Sequence, residues 1–144
     1  MNSFPLKIVT PDGLQFDGTA EELIVRTTSG DIGILAGHIN CVAPLGMGMA
    51  TVIVEGHRRY AACIGGMVSV VNGSVSLVPT TFEWAEKIDV ERAEASQRRA
   101  LEILRNKSAT NTEIRMAEAR LKRALVRKGV AKYRVDIDPQ SMNR

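Results

Sequence analysis

Six consecutive residues, Ile88-Asp89-Val90-Glu91-Arg92-Ala93, open a basic stretch whose arginines are spaced to converge on an anion. Arg92 and Arg99 lie seven residues apart, and on a helix of about 3.6 residues per turn they stand nearly above one another. Arg123 and Arg127 are four apart and share one face of a second helix. If the two helices fold back about a loop near Lys107-Ser108, Arg92 falls level with about residue 124 at a rise of about 1.5 Å per residue. Arg92, Arg123 and Arg127 then share one end of the hairpin, with Arg99 a turn or two away. Like charges repel, so such a cluster is more easily understood around an anion, and guanidinium forks match phosphate oxygens in a bidentate way. A nucleoside triphosphate fits that description. The competing reading leaves the same side chains as the solvated face of an amphipathic hairpin, and spacing alone keeps both open.

The charge distribution locates this half of the chain. Residues 1–84 carry four Lys/Arg against seven Asp/Glu, and residues 85–144 carry fifteen against nine, so the formal total of +3 conceals an acidic body and a basic appendage. Nucleic acid is disfavoured as the partner. Beyond Trp84 the only aromatic residue is Tyr133, which provides no stacking platform for bases, and Glu91, Glu94, Glu102, Glu113 and Glu118 interrupt the basic run.

The elements that must position these residues change period near residue 84. Before it, short β-rich runs alternate with turn signals every eight to twelve residues, the pattern of a sandwich or barrel. Strands are predicted over Leu6–Val9, Leu14–Phe16, Glu22–Thr27, Ile32–Leu35, Gly48–Val54, Arg58–Ile64, Met67–Val71 and Ser74–Pro79. Breaks fall at Pro11-Asp12-Gly13, Asp17-Gly18 and Ser29-Gly30, and Asn72-Gly73 predicts a tight hairpin with both central residues at positive φ. After residue 84, Val90, Ala93, Gln97, Ala100, Leu101 and Leu104 form one helical stripe, and Ile114, Ala117, Leu121, Ala124 and Leu125 another. Asp89 is placed to cap the first helix, Thr110 and Glu113 form a capping box for the second, and Gly129 is expected to end it. The expected architecture is α+β: an antiparallel β-sandwich over residues 1–84, an antiparallel two-helix hairpin over 85–134, and a disordered tail over 135–144.

Other chemistry is sparse. Cys41 and Cys63 are isolated in apolar company and read as buried reduced thiols. His38 and His57 have no partner at metal-ligand spacing, and no serine, histidine and acid are arranged for covalent catalysis, so no active site is expected. The absence of an eighteen-residue apolar run and of a signal sequence predicts a soluble, cytosolic chain.

Several segments resemble the epsilon subunit of the F-type ATP synthase. Gly30-Asp31-Ile32-Gly33-Ile34-Leu35-Ala36-Gly37-His38 is similar to that family's Gly-Glu-Leu-Gly-Ile-x-Pro-Gly-His segment, with Ala36 where the family usually has Pro. Val9-Thr10-Pro11-Asp12-Gly13, Ala43-Pro44-Leu45-Gly46-Met47-Gly48 and the pair Gly65-Gly66 also fit, in order, and the likeness runs from about Leu6 to Tyr133. Residues 88–93 satisfy the Ile/Leu-Asp-x-x-Arg-Ala motif through which some bacterial members bind ATP.

The resemblance implies an ATP site made of Glu83, Ile88, Asp89, Arg92, Ala93, Arg99, Arg123 and Arg127, with the first residues around base and ribose and the arginines on the phosphates. It implies no required cofactor, ATP being a regulatory ligand, free or with magnesium. It implies a non-catalytic subunit that joins gamma and the c-subunit ring through the sandwich, with Asp31 and His38 as partner contacts. The hairpin would alternate between an ATP-bound folded state and an extended state that inhibits hydrolysis by alpha and beta. The protein would then sit at the cytoplasmic face of the bacterial membrane, held there only through the complex. Trp84 is expected to anchor the base of the hairpin. Two rival readings are an independent ATP-sensing module and a nucleic-acid binder whose affinity falls steeply with salt.

Overall fold

A computed structural model describes residues 2–136. Ten strands and two helices follow in the order β1 Phe4–Thr10, β2 Gly13–Ala20, β3 Glu22–Thr27, β4 Gly30–Leu35, β5 Cys41–Pro44, β6 Met47–Val54, β7 His57–Ile64, β8 Met67–Val71, β9 Ser74–Val78, β10 Thr81–Trp84, α1 Val90–Arg105 and α2 Asn111–Ala131. Short 3₁₀ turns cover Ala85–Lys87 and Lys132–Asp136. The strands form two five-stranded sheets, β2-β1-β9-β8-β5 and β10-β7-β6-β3-β4. Neighbouring strands are antiparallel except β1 and β9, which run parallel with Leu6 opposite Val75 and Ile8 opposite Leu77. The first sheet is therefore mixed.

Alternation builds the core between the sheets. Phe4, Leu6 and Ile8 of β1, Leu23 and Val25 of β3, Val68 and Val70 of β8, and Val75 and Leu77 of β9 all point inward and are buried. Ser69, Ser74 and Ser76 occupy the alternate positions on the first sheet's outer face. The β8–β9 hairpin turns through Asn72 at φ 49° and Gly73 at φ 83°, as the Asn-Gly pair predicts. Glu55 and Gly56 make a second turn of this kind between β6 and β7, with φ of 51° and 78°. Two buried threonines fasten the other turns: Thr10 Oγ1 accepts from Asp12 N at 3.2 Å, and Thr27 Oγ1 accepts from Ser29 N at 3.1 Å.

β7 departs from alternation because both of its faces are covered. Ala61 and Cys63 face the sandwich core, whereas Ala62 packs with Ala85, Ile88, Val130 and Ala131 beneath the hairpin. α2 lies across β6 and β7. Val130 and Ala131 fill this second cluster, and their burial carries the helix past Gly129 to Ala131, two residues beyond the expected stop. The expected break at Asp17-Gly18 is also absent. Both residues lie inside β2, opposite Lys7 and Leu6 of β1.

Each helix begins at a side-chain cap. Asp89 Oδ1 accepts from Arg92 N at 3.0 Å. Thr110 Oγ1 accepts from Glu113 N at 3.1 Å while Glu113 Oε1 accepts from Thr110 N at 3.3 Å. The buried residues facing between the arms are alanines at heptad spacing, Ala93 and Ala100 on α1 and Ala117 and Ala124 on α2. Trp84 belongs to the sandwich core rather than to the hairpin's base, edge-on to Phe82 at 4.9 Å and stacked under the Arg59 guanidinium at 3.7 Å. Arg59 Nη2 also donates to Glu86 Oε1 at 2.7 Å, tying the linker to β7. Of the expected tail, residues 137–144 lie outside the described residues.

Candidate nucleotide site

β10 forms one edge of the second sheet and pairs with β7, with Thr81 opposite Ile64 and Glu83 opposite Ala62. Phe82 and Trp84 point into the core, so Thr81 and Glu83 leave the strand on its other face. A cavity of about 500 Å³ opens there, walled by Asp12 of the β1–β2 turn, by Thr81, Phe82 and Glu83, by Lys87 and Asp89 of the linker, by Arg92, Ala93, Ser96 and Arg99 of α1, and by Arg127 of α2. That volume is in the range of small-molecule sites, about 300–1,000 Å³.

Four cationic and three carboxylate side chains line this wall. Glu83 is engaged, since Arg127 Nε donates to its Oε1 at 2.7 Å with both side chains part-exposed. Asp89 is engaged as the cap of α1. Lys87, Arg92 and Arg99 make no ion pair among the described residues. The N-terminus of α1 adds the positive end of its dipole close to Arg92. The wall therefore carries a formal excess of one positive charge, with three cationic side chains free of direct ion pairs beside a strand-borne carboxylate, an arrangement suited to a phosphorylated, polar ligand.

Of the residues expected here, Glu83, Asp89, Arg92, Ala93, Arg99 and Arg127 share this one wall. Ile88 does not line it; its side chain is buried beneath α2 in the second apolar cluster. Arg123 stands one helical turn from Arg127 toward the hairpin's tip, half-buried and outside the wall. Sequence reasoning did not find Asp12, Thr81, Lys87 or Ser96. Asp12 reads as a turn residue, and only the pairing of β1 with β2 and the return of α1 carry it to this place.

Asp31 and His38 do not converge. Asp31 is the second residue of β4, and His38 lies beyond the strand's other end. Asp31 is held by Arg26, its cross-strand neighbour, whose hydrogen bonds keep the carboxyl below the usual range while the carboxylate raises the guanidinium. His38 lies in the β4–β5 loop, where its Nδ1 donates to Ile39 O at 2.8 Å. Ile39 beside it is 78% exposed, and Val42 on the edge strand β5 is 65% exposed. A cross-strand row of Pro44, Met67 and Val78, all exposed, continues this apolar surface over the outer face of the first sheet. Cys63 is buried, and that burial pushes its thiol up to about 12; Cys41 is only half-buried, because β5 is an edge strand.

Comparison with known proteins gives one consistent result. Residues 3–85 match the beta-sandwich domain of the ATP synthase Delta/Epsilon chain, and residues 86–132 match its long alpha-helix domain. The ATP synthase epsilon chain of Bacillus velezensis is 44% identical over 131 residues, covering 91% of this chain and 98% of the relative. That of Ruminococcus albus is 41% identical over 132 residues, with 91% and 98% covered. Among solved structures, a chain of the Euglena gracilis mitochondrial ATP synthase, from an assembly of OSCP, F1 and c-ring, shares the fold with a TM-score of 0.71 at 24% identity, over 81% of this chain and 74% of that one.

Proposed function

The chain belongs to the epsilon-chain family of the bacterial F-type rotary ATP synthase, and from that premise we propose that it is a non-catalytic coupling and regulatory subunit whose folded hairpin binds ATP. The observation that carries the ATP reading is the cavity in which Lys87, Arg92 and Arg99 stand without carboxylate partners, next to Glu83 and the Asp89 cap. Strand, linker and both helices contribute to its wall, so the site is complete only while the arms lie together against β10. A ligand shifts a conformational equilibrium through its differential affinity for the two states, and a site assembled this way supplies that difference. ATP accordingly favours the folded hairpin. When ATP is scarce, the basic helices extend toward the alpha and beta subunits and inhibit hydrolysis.

The sandwich supplies the static contacts. The apolar surface of Ile39, Val42, Pro44, Met67 and Val78 fits a docking face for gamma, with His38 at its border. Asp31, near the opposite end of β4, is the proposed contact with the ring of c subunits. No described helix is long and apolar enough to cross a membrane. In this account the chain is peripheral, at the cytoplasmic face of the cell membrane, and reaches it through the assembly. It needs no cofactor; ATP, alone or with magnesium, is a regulatory ligand.

Calorimetric titration of the intact chain with ATP, ADP and GTP tests the site. Saturable one-to-one binding of ATP that weakens in Arg92→Ala supports the reading. No saturable binding, or the same affinity in Arg92→Ala, removes it. Capture of separately expressed gamma tests the docking face, which Val42→Asp should weaken while leaving ATP affinity unchanged.

A further inference from the structure

Thr81 carries a buried hydroxyl oxygen that has no hydrogen-bond partner among the described residues, and the residue lies on the wall of the nucleotide cavity. An enclosed hydroxyl left unpaired costs free energy that a valine of the same shape would not. A single χ1 rotation of about 120° takes the hydroxyl to another staggered position. Glu83, the other residue on this face of β10, has its partner in Arg127. Thr81 therefore has hydrogen-bonding capacity that the unliganded protein leaves unused.

Position identifies which part of a ligand would use it. β10 and α1 are joined at one end by the linker that follows Trp84. Moving from Glu83 to Thr81 leads away from that linker, as moving from Arg92 to Ser96 and Arg99 does along α1, and all five residues wall one cavity. Thr81 thus shares its cavity wall with Ser96 and Arg99, so a phosphate met by Arg99 lies in the same cavity as the Thr81 hydroxyl. We propose that the Thr81 hydroxyl is a ligand contact of this site, donating its hydrogen to a phosphate oxygen of the bound nucleoside triphosphate. The proposal rests on the reading of the cavity as an ATP site. It adds a neutral donor, supplied by a strand of the sandwich itself, to the arginines of the two arms. Bound triphosphate then fastens the hairpin to the sandwich as well as one arm to the other.

The test compares the intact chain with Thr81→Val and Thr81→Ser by calorimetric titration with ATP and by denaturant unfolding without ligand. Thr81→Val should weaken ATP binding about tenfold or more, the scale of a hydrogen bond to a charged group. Its unliganded stability should be equal or higher, because an unpaired buried hydroxyl is gone. Thr81→Ser should retain most of the affinity. Wild-type affinity in Thr81→Val, while the unsubstituted chain binds ATP, overturns the contact and leaves the site standing. A loss of affinity matched by a loss of unliganded stability assigns Thr81 a structural role and also overturns it. Failure of the unsubstituted chain to bind ATP overturns the site and the contact together.

Discussion

Replacing Arg127 separates the two things this side chain does. In the unliganded protein its Nε donates to Glu83 Oε1 at 2.7 Å, with the side chains 25% and 37% exposed. An ion pair so open to solvent contributes at most about 1 kcal/mol after screening and side-chain entropy. Arg127→Ala should therefore lower unliganded stability by no more than about 1 kcal/mol, or about 4 °C in Tm for a chain of this size. A phosphate contact is a charge-assisted hydrogen bond, and its loss should cost about 1–3 kcal/mol of binding, or about 5- to 150-fold in Kd. The asymmetry is the expected result: a small change in urea unfolding and a large one in ATP titration. The salt dependence of log Kd should also become shallower, because one cation fewer meets the ligand. Unchanged ATP affinity would refute the reasoning. So would a loss of affinity that merely tracks a loss of stability, because Arg127 would then be a staple between α2 and β10 and nothing more.

Other outcomes follow from the same geometry. Burial raises the Cys63 thiol to about 12, so at pH 8 a thiol reagent should modify one cysteine per folded chain, Cys41, and reach the second only on unfolding. Because the folded value lies above the unfolded value of about 8.5, the contribution of Cys63 to stability is full below that pH and is lost as pH rises toward 12. Gly66 has φ 88°, and a Cβ there would come within 2.0 Å of Val78 O; Gly66→Ala should cost about 3 kcal/mol or more in chemical denaturation, where a neutral result would contradict the packing of the β7–β8 turn on the end of β9. Just past the end of α2, Arg134 donates to Ile88 O at 2.7 Å and the Tyr133 ring meets that of Tyr60 at 4.7 Å, tilted by 42°. Removing both side chains should accelerate amide exchange over residues 130–134 and lower stability by about 1–2 kcal/mol, and unaltered exchange would show that this clasp holds nothing.

What was legible in the sequence was local. Period-two alternation in β1, β8 and β9, the Asn72-Gly73 turn, the Asp89 cap and the Thr110–Glu113 box each depend on a few adjacent residues, and each stands where the pattern places it. The misplacements have a common cause, which is contact with distant chain. β5 and β10 went unrecognised because four-residue strands carry too little pattern, and their partners β8 and β7 define them. Gly129 looked like a stop because nothing nearby shows that Val130 and Ala131 would be buried under Ala62 and Ala85. The site divides in the same way. Arg92 and Arg99 are recognisable from spacing on one helix and Asp89 from the motif that precedes it, whereas Asp12 and Thr81 reach the cavity only through pairing of β1 with β2 and of β10 with β7.

The central claim is that a folded, ATP-holding hairpin is the uninhibitory state. The most direct measurement uses Tyr60→Cys with Tyr133→Cys, at positions whose native rings meet at 4.7 Å between the sandwich and the end of the hairpin, joined by a cleavable bis-maleimide linker in a Cys41→Ser background and reassembled with alpha, beta and gamma. With the linker holding the hairpin on the sandwich, ATP hydrolysis should rise to the rate seen with residues 88–144 deleted, and cleaving the linker should restore inhibition. Equal inhibition by the linked and cleaved forms would contradict the account, because the extended hairpin would then not be the inhibitory state.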